Sequence, residues 1–313
     1  MQEKLFHTYL EHFRNMINYS FIIPHHNSPD LLNRCLDSIP QRDDIEIIVV
    51  DDNSDNDKLP RIDRRDVKLI SIDAANTKGA GRARNYGLKE AHGKWILFAD
   101  CDDYYTNSFL EYLDKYTNEN VDVYYFNVDT SDVLKNWYNP LLCYYPTLIE
   151  NYNGDKEQKN LLKFRYNQPW NKMISKQFLD KYMFRFEEVP KGNDVLFTFQ
   201  IGYFLRKMEV IPEFIYVYTF NSKSITNNKR TKDDYLLYIA STFKINSFYD
   251  FIQKPEWKTE PTIWLMRCLK NEKISTTISL FKEYIKMLRR GIIFRNDYVN
   301  TIKIHEEKCF LTK

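Results

Sequence analysis

The sequence predicts a doubly wound α/β domain followed by a helical appendage. Three observations carry that expectation. Apolar, β-branched runs alternate with amphipathic helical patterns over about the first hundred residues. Three of those runs end in polar clusters: Pro24-His25-His26-Asn27, Asp51-Asp52-Asn53-Ser54 and Asp100-Cys101-Asp102-Asp103. From Lys229 onward the periodicity turns purely helical.

Taken in order, Leu5, Phe6, Tyr9, Leu10, Phe13, Met16 and Ile17 share a face at helical spacing and predict an N-terminal amphipathic helix over 1–18. Tyr19–Ile23 is a short apolar strand that ends at Pro24, and Asp30–Ile39 has a helix pattern. Ile45–Val50 is a nearly unbroken apolar run, as expected of a strand inside a parallel sheet. Val67–Ile72 is a third strand, Ala80–Ala91 a helix and Trp95–Ala99 a fourth strand. A helix near Ser108–Tyr116 and a strand over Val121–Val128 follow. Asp129–Asn167, rich in Tyr and Asn without clean periodicity, reads as loops and short elements. Helices are expected near Lys176–Tyr182 and over Asp194–Arg206, and one or two strands over Met208–Phe220, broken at Pro212. The expected domains are 19–226 and 227–313.

Bulk properties exclude several classes. A net charge of +2 gives no electrostatic case for nucleic acid. Aromatics at 16% fit sugar-stacking surfaces and an ordinary core equally. The five cysteines are scattered, without a zinc or disulfide pattern, so a reduced cytoplasmic setting is expected. No signal peptide is read at the N-terminus, and no apolar run approaches the roughly 20 residues of a membrane span. Gly79-Ala80-Gly81-Arg82-Ala83-Arg84 is not a dinucleotide fingerprint: it reads GxGxxR and follows the third strand, not the first.

The stretch Gly93–Asp103 carries the most chemistry. An apolar strand runs into Asp100, Asp102 and Asp103, whose like charges repel. A hard divalent cation bridging carboxylates to phosphates compensates such a cluster. A solvated acidic turn is the other reading of this stretch alone. Ligands of open α/β sheets sit at the carboxyl ends of the strands, and all three clusters fall there.

In that order, Ser20–Asn27, Val49–Ser54, Gly81–Gly87, Gly93–Asp103 and Phe186–Asp194 resemble the family 2 glycosyltransferases of GT-A fold. The resemblance covers about 19–226. It implies a mixed Rossmann-like sheet and an inverting transfer of a sugar from a nucleotide donor, UDP-sugars by default. The acceptor would be a saccharide or lipid-linked saccharide in bacterial surface polysaccharide synthesis. Asp100 and Asp102 match the DXD motif, with Asp102 on a manganese or magnesium ion and Asp100 on ribose or metal. Asp52 matches the nucleobase acid and Pro24 opens the base pocket, with Asn27 beside it. His26 stands where the family has a stacking Tyr. Arg84 braces the acidic strand end, faces the diphosphate or pairs with Asp100 or Asp52. Lys78, Gly79 and Gly81 approach phosphate through backbone N–H groups. Trp170 stacks on a sugar or belongs to the core, and Ser224-Ile225-Thr226 closes over the diphosphate. Asp194 is the catalytic base and also an N-cap candidate; Glu187 and Glu188 are the fallback, because the preceding family acid is replaced by Asn193. Asp51 is expected to brace its loop, His25 to lie on the surface and Asp103 to cap a helix.

Residues 254–313 hold 13 Lys and Arg against 7 Asp and Glu. Ile274, Ile278, Phe281, Ile285 and Leu288 share a helical face among basic residues. That pattern fits peripheral attachment to an anionic membrane at the cytoplasmic face, or a solvated helical subdomain or dimer contact. The rival functions are a non-catalytic nucleotide-sugar-binding module and a sugar nucleotidyltransferase.

Overall fold

A computed structural model describes residues 17–73, 79–118, 120–136, 140–221, 230–289 and 297–311. The chain divides into two units, Met1–Asn221 and Ser222–Lys313. The expected N-terminal helix lies outside the described residues apart from Ile17 and Asn18, which are not helical. The expected boundary at 226/227 and the Ser224–Thr226 loop also lie outside them.

Four strands of the first unit run parallel: β1 (Tyr19–His25), β2 (Ile45–Asp52), β3 (Val67–Ile72) and β4 (Trp95–Phe98). With β5 (Tyr104–Tyr105), β6 (Val123–Asp129), β7 (Lys172–Ser175) and β8 (Met208–Val217) they form a mixed sheet in the order β3-β2-β1-β4-β7-β6-β8-β5. β7 is antiparallel to both β4 and β6, while β6 and β8 are parallel. The apolar run of β2 explains its central place. Ile47, Ile48, Val49 and Val50 are all fully buried, and each contributes about 1.5–3 kcal/mol relative to exposure.

The helices of this unit are α1 (Pro29–Asp37), α2 (Ala80–Glu90), α3 (Phe109–Lys115), α4 (Ser131–Asn136), α5 (Pro140–Glu150), α6 (Lys156–Phe164), α7 (Lys176–Tyr182) and α8 (Val195–Phe204). Pro29 opens α1, where its missing N–H costs nothing. α2 packs on β1 and β2 at short range. A Cβ at Gly87 would stand 2.3 Å from Ile22 Cγ2, so only glycine allows that approach. α8 is apolar on all sides and buried along most of its length.

Two expectations are corrected. Asp129–Asn167 is not mainly loop: α4, α5 and α6 occupy most of it. Pro212 does not break its strand either. β8 continues through it, and the β6 pairing skips from Phe126↔Ile211 to Asn127↔Phe214, so the bulge takes up the residue that cannot donate.

The second unit contains α9 (Lys232–Phe251), α10 (Ile263–Asn271), α11 (Ile274–Arg289) and α12 (Asp297–Leu311). A capping box between Thr231 and Asp234 starts α9. Tyr235, Ile239, Cys268, Leu280 and Tyr284 form its core. No described helix is long and apolar enough to cross a membrane.

Topology positions the site. The chain steps from β1 outward to β2 and β3, then returns to lay β4 on the other side of β1. The crevice at that reversal is where open α/β sheets take ligands. His25 is level with Asp51, and Ile22 with Phe98, so all three polar clusters lie along one edge.

Candidate active site

The β1 and β2 ends are locked together by side chains. His25 is buried, not at the surface as expected. Its Nε2 accepts from the Ser28 N–H at 3.2 Å, so the ring proton is on Nδ1, which donates to Asp51 Oδ1 at 2.7 Å. Burial pushes the Asp51 carboxyl up, but the Ser54 hydroxyl and N–H and His25 together hold it below the usual range. Asp51 therefore braces the loop. Pro24 lies inside β1, past the last β4 pair, so its missing N–H breaks no ladder bond. Asn27, at φ +55°, spends its side chain on Asp55. His26 is exposed, and its Nδ1 donates to the Asp52 carbonyl at 2.9 Å. Asn27 Nδ2 holds the other ring nitrogen at 3.3 Å, which leaves a fixed, exposed ring at the edge.

Asp52 is buried, accepts from the Gly79 N–H at 2.7 Å and lies 3.7 Å from Arg82 Nη1. The Gly79 N–H is thus already engaged inside the protein rather than offered to phosphate. Lys78 lies outside the described residues. Arg82 went unnoticed in the sequence, although it precedes Arg84 by two positions on the same helix. Gly81 has a packing role: a Cβ there would stand 2.2 Å from the Glu187 carbonyl oxygen and 2.7 Å from Asn193 Cβ.

At the β4 end, Arg84 joins distant pieces of chain. Its Nη2 donates to Asp100 Oδ1 at 2.5 Å and its Nη1 to Asn193 Oδ1 at 2.9 Å. Its guanidinium lies over the Phe186 ring, 5.3 Å from the centroid. Asp102 accepts from Asn221 at 2.9 Å. Burial and the like charge of Asp100 push the Asp102 carboxyl up.

Asp103 is not a helix cap. It is fully buried, the next element is β5, and α3 begins only at Phe109. Tyr216 donates its hydroxyl to Asp103 Oδ2 at 2.9 Å, and the Thr219 N–H donates to Oδ1 at 2.8 Å. The same Tyr216 oxygen accepts from the Asp100 N–H at 2.9 Å. Tyr216 therefore ties the acidic turn to β8. Sequence reasoning missed it because β8 reads as interrupted at Pro212.

Trp170 is only 4% exposed and stacks on Tyr216 at 5.1 Å and on Tyr218 at 5.3 Å. It supports the Tyr216 ring and is buried, so of the two readings the sequence leaves open, core membership holds and donor stacking does not. Two positions further on, Lys172 is buried. Its Nζ donates to the Tyr166 and Gln168 carbonyls and to Asn171 Oδ1. Burial pulls this ammonium down to about 7, against the opposing pull of Asp194.

Asp194 stands at the N-cap position of α8 but makes no capping bond. Burial pushes its carboxyl up, as does Asp100, while Arg84 and Lys172 act the other way. These influences link Asp194 to the Arg84–Asp100 pair from 94 positions beyond Asp100. Glu188 is exposed and accepts from Asn85, and Glu187 is half-buried.

Residues 20–183, just over half of the chain, match the family model for Glycosyl transferase family 2. The chain belongs to that family. Its relatives include the poly(ribitol-phosphate) beta-N-acetylglucosaminyltransferase TarS of Staphylococcus aureus, 34% identical over 31% of this chain and 18% of that protein. A poly(ribitol-phosphate) beta-glucosyltransferase of Bacillus spizizenii is 36% identical over 32% of this chain and 17% of its own length. These matches span under a fifth of those relatives. The crystal structure of S. aureus TarS 1-349 in complex with UDP-GlcNAc superimposes with a TM-score of 0.56 at 17% identity, covering 95% of this chain and 93% of that one. The shared fold is GT-A.

Proposed function

We propose that this family 2 chain is an inverting glycosyltransferase. It moves a sugar from a nucleoside-diphosphate donor, a UDP-sugar by preference, to a hydroxyl of a saccharide or lipid-linked saccharide in bacterial surface polysaccharide synthesis. The observation that carries this reading is the Arg84 bridge, which joins the acidic end of β4 to the residue beside Asp194. Relatives named for poly(ribitol-phosphate) glycosylation and a fold shared with a UDP-GlcNAc complex support it.

In this reading the donor lies along the edge formed by His26, Asp52 and Asp100. His26 presents its ring to the base, and Asp52 supplies a carboxylate near it. Asp194 takes the proton of the acceptor hydroxyl as that oxygen attacks the anomeric carbon from the face opposite the diphosphate. A carboxylate whose proton affinity is raised by burial is a stronger base than an ordinary aspartate, and the Arg84 charge keeps it ionisable.

The residues present fit a divalent cation. Arg84 takes Oδ1 of Asp100 and Asn221 takes Oδ2 of Asp102, which leaves one oxygen on each carboxylate. Among the described residues no three His, Cys, Asp or Glu side chains gather as a cage. An ion there would be held by these one or two carboxylates and completed by substrate phosphates and water. When bound, magnesium or manganese supplies charge that stabilises the leaving diphosphate. Peripheral attachment through the basic C-terminal helices would bring the enzyme to a lipid-linked acceptor.

Nucleoside-diphosphate release from a panel of donors, with and without chelator, tests the reading. Release that requires a divalent cation and is lost in Asp102→Ala is expected. Undiminished release after thorough chelation would remove the metal role, and no release with any donor would favour a binding module.

A further inference from the structure

Helices α10 and α11 are joined by only Glu272 and Lys273. Each turns one face inward: Cys268 of α10 and Leu280 and Tyr284 of α11 are buried with Tyr235 and Ile239 of α9. The Thr277 hydroxyl meets Cys268 Sγ at 3.5 Å, which fixes the pairing of the two helices.

A second apolar set lies outside that core. Met266, Leu269, Ile274, Ile278, Phe281 and Leu288 are between 46% and 68% exposed. On α11 they repeat, with half-buried Ile285, at steps of four and three residues, which makes one stripe along the helix. Single exposed apolar residues need no explanation, but a run of them marks an interaction surface. The charge around the stripe has one sign. Arg267, Lys270, Lys273, Lys282, Lys286 and Arg289 are all exposed. From Ile263 to Arg289 the only acids are Glu272 and Glu283, and Glu283 is paired with Lys286 at 2.8 Å.

We infer that the outer face of the α10–α11 hairpin docks on an anionic lipid surface. The apolar stripe enters the boundary between headgroups and acyl chains, and the flanking cations engage the headgroups. A second copy of the chain fits less well. One edge of the α11 stripe carries Lys282 and Arg289, and the other is closed by Tyr284, buried in the core. Pairing two such stripes sets a basic edge against another basic edge or against a closed one. The inference rests on the lipid-linked acceptor reading for its purpose, but binding itself needs no turnover.

Cosedimentation of the full chain with vesicles of phosphatidylglycerol and phosphatidylcholine tests it. The wild type is expected to bind these, to bind phosphatidylcholine alone weakly, and to be released by high salt. The double variant I278S/F281S should lose at least about tenfold in partitioning. K282Q and R289Q should each lose about fivefold. All four positions are exposed, and thermal melting by circular dichroism checks that the variants fold. The charge variants alter no core contact, so they decide the matter if I278S/F281S fails to fold. Unchanged binding by folded variants, equal binding of neutral vesicles, or no binding by the wild type would overturn the inference. So would a dimer in sedimentation velocity that I278S/F281S dissociates. Nucleoside-diphosphate release without vesicles is read separately; its absence alongside intact vesicle binding would count against the transferase reading only.

Discussion

Arg84 and Asn193 are bonded, Nη1 to Oδ1, at 2.9 Å across 109 positions of sequence. The other end of the same guanidinium holds Asp100. A single buried side chain therefore sets the spacing between the acidic end of β4 and the α8 N-terminus, where Asp194 lies. A neutral Asn193 suits this arrangement, since Arg84 balances one carboxylate there instead of two.

Arg84→Gln should cost about 2–3 kcal/mol of stability, less than the loss of a fully buried pair because Asp100 is about a third exposed. Turnover should fall by about a hundredfold as the two halves of the site lose register. Arg84→Lys restores the charge but not the two-pronged geometry, so it should recover stability more than kcat. Urea denaturation and steady-state kinetics on the three proteins separate the two effects. Equal kcat in all three would deny Arg84 a positioning role.

Asp103→Ala should destabilise the domain by about 2–3 kcal/mol, because the Tyr216 hydroxyl and the Thr219 N–H lose a buried acceptor. Denaturant midpoints check this. An effect within about 0.5 kcal/mol, the range of an ordinary surface change, would contradict the buried bracket.

How far the site was readable from sequence follows from what burial hides. The strand-end acids were legible because clustered carboxylates demand compensation wherever they lie, and Arg84 through its place in Gly81–Gly87, one of the stretches that carry the family resemblance. His25 and Asp103 were misread for a common reason. A polar residue at a strand end reads as exposed until its partner is known, and Asp51 meets His25 only through the β1–β2 register. Trp170 is closed off by Tyr216 and Tyr218, which lie more than forty positions away. The helices within 129–167 escaped notice because they are short. α5 also contains Pro146 and apolar residues on most sides, which blurs its period.

Lys172 gives a pH signature. Its folded value of about 7 lies below the ordinary lysine range, so between there and about 10.4 the unfolded chain binds the extra proton. Stability should therefore rise with pH across that window, with the full penalty of burying the charge present below it. Lys172→Met should flatten this rise. Urea midpoints measured against pH test it, and parallel profiles for the two proteins would show that Lys172 does not titrate there.

The most direct test concerns Asp194. Nucleoside-diphosphate release from a UDP-sugar with acceptor, measured for wild type and Asp194→Asn, should fall by at least about a hundredfold in the variant. UDP affinity measured by calorimetry should stay unchanged, because Asp194 acts on the acceptor. Equal release by both proteins would contradict its role as the base.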